Sequence, residues 1–86
     1  MGGVWTPTPS AELEELLSAA MSRPGTSRVT PPRPVACTDG RTGWLWGRKR
    51  PINAGGMWLG LATLQEGPFD PPELTWRPSA ELRPLG

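Results

Sequence analysis

The pair Asp39-Gly40 constrains this chain more than any other feature. A tight hairpin turn needs positive φ, which glycine adopts without steric cost. Strand-forming runs flank the pair. Val35-Ala36-Cys37-Thr38 precedes it, and residues 42–48 (TGWLWGR) follow it, with Gly43 placed to be a bulge. Residues 35–50 are therefore expected to form a β-hairpin around which the rest of the chain packs. Side chains alternate along a strand, so Trp44 and Trp46 share one face. Leu45 takes the other, beside Gly43 and Gly47. This pattern alone allows either face to be the inner one.

The remaining punctuation favours strands. With 12 Pro and 11 Gly among 86 residues, the composition calls for many turns and little helix. Residues 8–22 are the one convincing helix. Thr8 is placed to cap it, Pro9 suits the first helical position, and Glu12, Glu14 and Glu15 lie near the positive end of the helix dipole. Leu13, Leu16, Leu17, Ala20 and Met21 form a single apolar stripe, and Arg23-Pro24-Gly25 stops the helix. Alone, a helix this short is marginal in water, so its stripe must be buried on something.

Residues 1–7 are expected to be a loose arm anchored by Trp5. Met1-Gly2-Gly3-Val4-Trp5-Thr6 matches the N-myristoylation pattern loosely, with too few fixed positions to carry an assignment. Residues 23–34 (RPGTSRVTPPRP) are expected to be an extended linker biased to polyproline II. Pro31-Pro32-Arg33-Pro34 also spells a P-x-x-P ligand, but a stiff connector into the first strand is the simpler reading. Residues 50–56 form a loop. Residues 57–64 (MWLGLATL) form a third strand with Met57, Leu59 and Leu61 on one face and Trp58, Gly60, Ala62 and Leu64 on the other. Both faces are apolar, so this strand should be covered on both sides. A loop at 66–72, a fourth strand at 74–77, a 3₁₀ turn at 78–82 and a last strand at 83–85 complete the chain. Three regions follow: an arm and helix over 1–22, a linker over 23–34, and a small barrel over 35–86.

A chain of 86 residues makes one domain and buries only roughly 60% of its unfolded surface. Its five Trp matter accordingly, each worth about 5 kcal/mol gross when some 200 Å² is buried. The helix stripe is therefore predicted to pack across Trp44, Trp46 or Trp58 on the outside of the sheet. A detached helix would instead leave stripe and indoles exposed as a partner interface.

The closing run, residues 76–85 (WRPSAELRPL), resembles the end of SH3-like small barrels, in which a strand ends in a Pro-Ser 3₁₀ turn before a short final strand. The resemblance covers about residues 34–85. It implies an α+β, mainly β fold: an SH3-like antiparallel barrel of about five short strands with the N-terminal amphipathic helix packed on it. SH3 domains grip Pro-rich peptides with a Tyr-rich motif and an acidic loop, and this chain has no Tyr. The resemblance therefore implies the barrel and not that ligand.

The chain has no His, no paired carboxylates on one strand face and no phosphate-cradling motif. Cys37 without a His partner reads as a small buried apolar residue. No enzyme, metal or cofactor is expected. A single Cys forms no internal disulfide, and neither an 18-residue apolar run nor a charged-then-apolar leader is present, so a cytoplasmic protein with no membrane span is expected. Arg outnumbers Lys eight to one while Asn, Ile and Phe are scarce, the codon signature of a GC-rich bacterium or its phage.

Charge is unevenly spread: net −3 over residues 1–22, +6 over 23–50 and −2 over 51–86. The expected function is a small non-enzymatic module that binds another protein, as an accessory, a regulator or a minor subunit of an assembly. The alternative is nucleic-acid binding by the basic hairpin, with Arg41, Arg48, Lys49 and Arg50 meeting phosphates and Trp44 and Trp46 stacking on bases.

Overall fold

A computed structural model describes residues 6–50 and 57–85. One helix, α1 (Ala11–Met21), precedes five strands: β1 (Thr26–Cys37), β2 (Thr42–Lys49), β3 (Leu59–Gln65), β4 (Glu73–Pro78) and β5 (Leu82–Pro84). A 3₁₀ turn, Ser79–Glu81, joins the last two. The strands form one antiparallel sheet in the order β4-β3-β2-β1-β5, and the sheet curls so that β5 lands on the far side of β1. The fold is mainly β with a single helix, as expected. The N-terminal arm before Thr6, the myristoylation pattern and most of the 50–56 loop lie outside the described residues.

The helix begins two residues later than expected. Ser10, not Thr8, is the cap: its Oγ accepts the Leu13 N–H at 3.2 Å, and its carbonyl accepts the Glu14 N–H at 2.8 Å. Pro9 therefore precedes the cap. At the other end, the Thr26 hydroxyl lies 2.7 Å from the Arg23 carbonyl and 2.9 Å from the Met21 carbonyl, an acceptor that the helix itself leaves open.

The sheet begins at Thr26, inside the segment expected to be a linker. Three residues of β1 pair with the end of β2, register is lost between Arg28 and Arg33, and pairing resumes from Arg33 to Ala36. Pro31 and Pro32 fall in that irregularity, where a missing N–H costs no ladder bond. What the composition marks as an extended connector over 23–34 is thus mostly strand.

The bulge lies at Trp46, not Gly43. Leu45 pairs with Ala62 and Gly47 with Leu61, leaving Trp46 as the extra residue of β2. Gly43 stays in register opposite Leu64. It is glycine for another reason: a Cβ there would lie 1.6 Å from the Thr63 carbonyl oxygen. The bulge turns both Trp46 and Gly47 toward α1, where a Cβ on Gly47 would meet Met21 Cε at 2.6 Å. The alternation then resumes out of phase. Arg48 emerges on the Leu45 side instead of the helix side, over Trp58.

Two apolar layers result. Inside the curl are Val35, Cys37, Leu45, Ala62 and Leu64, with Val29, Trp58 and Leu82 against them. Between sheet and helix are Leu17, Trp46 and Leu61, flanked by Leu13, Ala20, Met21, Trp44, Leu74 and Trp76. β3 contributes to both, as its two apolar faces require. The helix packs on Trp44 and Trp46 as predicted. Trp58 instead belongs to the inner layer, and Leu16 points outward with 55% of its surface exposed. Trp46 Nε1–H donates to Thr63 Oγ1 at 2.9 Å, so neither buried polar group goes unpaired.

Leu17 is 0% exposed and touches the centre of the outer layer. Leu17→Ala is expected to cost roughly 2–5 kcal/mol, whereas Leu16→Ala should stay within about 0.5 kcal/mol. Urea unfolding followed by Trp fluorescence checks this. Equal losses would mean that the helix is not seated on the sheet.

Candidate binding surface

At the β1–β2 turn, Asp39 accepts hydrogen bonds from the Arg41 backbone N–H (3.0 Å) and from Arg41 Nε (2.8 Å). Arg41 also reaches Glu73 at 3.2 Å. Arg77, near the end of β4, bridges Asp39 (3.5 Å) and Glu81 (3.3 Å). The chain Glu73–Arg41–Asp39–Arg77–Glu81 thus ties β4, the hairpin turn and the 3₁₀ turn together where the sheet closes. Beside it, the Thr38 N–H donates to the Glu81 carbonyl at 3.0 Å. The Arg41 side chain holds the Asp39 carboxyl down at about 2. Arg41 has only 16% of its side chain exposed, so it serves this network.

Trp46 is buried against α1, whereas Trp44 is half-buried beside it and lines an open groove with Leu13, Pro34, Pro72 and Leu85. Of the six residues that the sequence nominates, Arg41, Trp44 and Trp46 are set apart by these roles. Arg48, Lys49 and Arg50 do come together, at the opposite end of β2. The Arg50 N–H donates to the Gly25 carbonyl at 3.1 Å, extending the β1–β2 ladder by one step. Gly25 sits at φ 82, a conformation that side chains disfavour.

Arg48, Lys49, Arg50, Gly25, Ser27 and Trp58 line one cleft. An adjoining cleft shares Ser27 and Arg48 and runs along β1 past Arg28 to Arg33. Arg28 is taken up by Glu14, to which it donates two hydrogen bonds of 2.9 and 3.0 Å, and the Glu14 carboxyl is pulled below its usual range by that contact. Among the described residues, Arg33, Arg48, Lys49 and Arg50 have no carboxylate within salt-bridge distance. The Arg48 guanidinium lies 5.0 Å from the centre of the Trp58 ring, a cation–π contact worth about 0.5–1 kcal/mol at an exposed site.

The sequence reading missed Trp58, Ser27 and Gly25 as parts of this surface. Trp58 could have been found from pairing: Arg48 lies opposite Gly60, so Trp58 is its diagonal cross-strand neighbour. That register depends on the bulge at Trp46, which the sequence does not advertise. Ser27 and Gly25 were hidden in the supposed linker. No three His, Cys, Asp or Glu side chains among the described residues are grouped to hold a metal ion, and no described helix is long and apolar enough to cross a membrane.

The Asp39 network makes stability pH-dependent in a defined window. A carboxyl held at about 2 in the fold, against its ordinary 3.8, contributes stability that is full above about pH 4 and is lost as pH falls toward 2. Thermal unfolding across that range should show the wild-type Tm falling faster than that of Asp39→Asn, the gap between them closing toward pH 2. A constant gap would show that Asp39 is not titrating against Arg41.

No protein-family model matches the chain, and neither a curated protein nor a solved structure matches it.

Proposed function

We propose that the chain is a small non-enzymatic binding module on an SH3-like barrel, and that it holds the backbone of a nucleic acid along the strip Arg33, Arg48, Lys49 and Arg50. The observation that carries this reading is the sorting of charge. Asp39, Glu73 and Glu81 are spent on Arg41 and Arg77, and Glu14 is spent on Arg28. A protein of net charge +1 thereby presents a strip of four cations with, among the described residues, no carboxylate within salt-bridge distance of them. From the level of Arg33, opposite Leu45, to Lys49 the strip spans roughly 13 Å at about 3.3 Å per strand residue. That matches about four steps of a nucleic-acid strand at roughly 3.4 Å of axial rise.

The barrel assignment is supported by β5 lying beside β1 and by the 3₁₀ turn Ser79–Glu81 just before the last strand. The non-enzymatic reading fits the ionic groups whose pKa is displaced: Glu14, Arg28, Asp39 and Arg41 all make contacts that hold the fold.

A protein partner is the second reading. Phe69, in the 66–72 loop, is 99% exposed, and Leu16, Met57 and Leu85 are exposed as well. They sit on separate elements, and single exposed apolar residues are ordinary on a protein surface. The half-buried Trp44, which lines an open groove with Leu13, Pro34, Pro72 and Leu85, is the feature that favours this reading.

Fluorescence anisotropy with a labelled oligonucleotide over a salt series tests the first reading. Affinity should fall with salt at about 0.7 log units per log unit for each phosphate neutralised on a single strand. Replacing Arg48, Lys49 and Arg50 together by Gln should flatten that slope by about 2. Absent or salt-insensitive binding would sink the nucleic-acid reading and leave the protein partner.

A further inference from the structure

Trp58 stands out at the basic end. Part of its ring packs on the inner core, where its Cζ3 lies 3.1 Å from the place a Cβ on Gly60 would occupy. The rest lines the cleft with Ser27, Arg48, Lys49 and Arg50. An aliphatic side chain would fill the core edge equally well, but it would offer no flat face to the cleft. The cleft measures about 240 Å³, below the roughly 300–1,000 Å³ that accommodates a drug-sized molecule. It suits one planar ring with its phosphate, not a base pair. The three cations around it have no carboxylate opposite them among the described residues.

We propose that Trp58, capped by the Arg48 guanidinium, is a stacking platform for a single unpaired base, and that the module therefore selects single-stranded nucleic acid over duplex. This rests on the nucleic-acid reading of the strip and adds a specificity to it. In a duplex the bases are already stacked on one another, so only phosphates reach the strip. In a single strand a base can turn into the cleft while its phosphate meets Lys49 and Arg50. Arg48 either stays as the upper layer of the stack or swings to the phosphate, since its contact with the ring is noncovalent and solvent-exposed. Charge alone would favour the duplex, whose phosphate density is higher. A preference for the single strand thus reports on base contact.

The test uses the full chain and three labelled probes at one low salt concentration: a short single strand, its duplex, and the same strand with abasic positions that keep the phosphates. The single strand should bind roughly 5- to 150-fold more tightly than the abasic strand, the contribution of one stacked base, and more tightly than the duplex. Trp58→Leu should erase the difference between intact and abasic strands, and Trp58→Phe should keep most of it. The abasic comparison needs no variant, so it stands if Trp58→Leu fails to fold. Equal affinity for intact and abasic strands would overturn the platform and leave the strip intact. Failure of all three probes to bind would overturn both.

Discussion

The structure turns on one side chain, the indole of Trp46. It is the extra residue of the β2 bulge, the surface on which Leu17 is buried, and the donor to Thr63. Each role depends on the others. The bulge frees Trp46 from strict alternation so that it and Gly47 both face the helix, and the bare Gly47 backbone leaves room for Met21. The hydrogen bond to Thr63 allows a ring with a polar atom to sit in a dry layer. Because the alternation is shifted from that point on, Arg48 and Lys49, the two cations that end β2, lie on the faces opposite to those that unbroken alternation would give them.

Much of this was legible in the residues. The Asp39-Gly40 turn, the shared face of Trp44 and Trp46, the two apolar faces of β3 and the seating of the helix on tryptophan all follow from periodicities of two and 3.6. What was not legible came from competition between adjacent signals. Thr8-Pro9 looks like a helix start, but Ser10 lies closer to the stripe and its hydroxyl reaches the amide of Leu13. Pro31, Pro32 and Pro34 suppress a strand reading, yet a lapse in register accommodates two of them inside β1. Gly43 looked like the bulge because glycine often marks one. There it accommodates a close approach of the Thr63 carbonyl.

The site was legible only in part, because charge counted along a chain does not reveal which charges are already paired. Arg41 belongs to the same basic block as Arg48 and Arg50, but Asp39 stands two residues before it and Glu73 is brought across by the pairing of Leu64 with Glu73. Only the fold separates the cations that close the sheet from those that face outward. The aromatic ring beside the outward-facing Arg48 is Trp58, on the side of the neighbouring strand.

β1 pairs with β2 on both sides of its irregularity, and its last three residues also take β5, with Val35 opposite Pro84. A strand that enters the sheet early is therefore finished by the one that arrives last. During synthesis the helix and the first hairpin can meet while the chain is still growing, but Val35, Ala36 and Cys37 keep an open edge until β5 has been made. The inner layer, to which Leu82 contributes, stays partly wet until then. A pair so distant in sequence carries a loop-closure cost that the hairpins do not, and a chain that lacks it presents an unpaired strand edge to its neighbours.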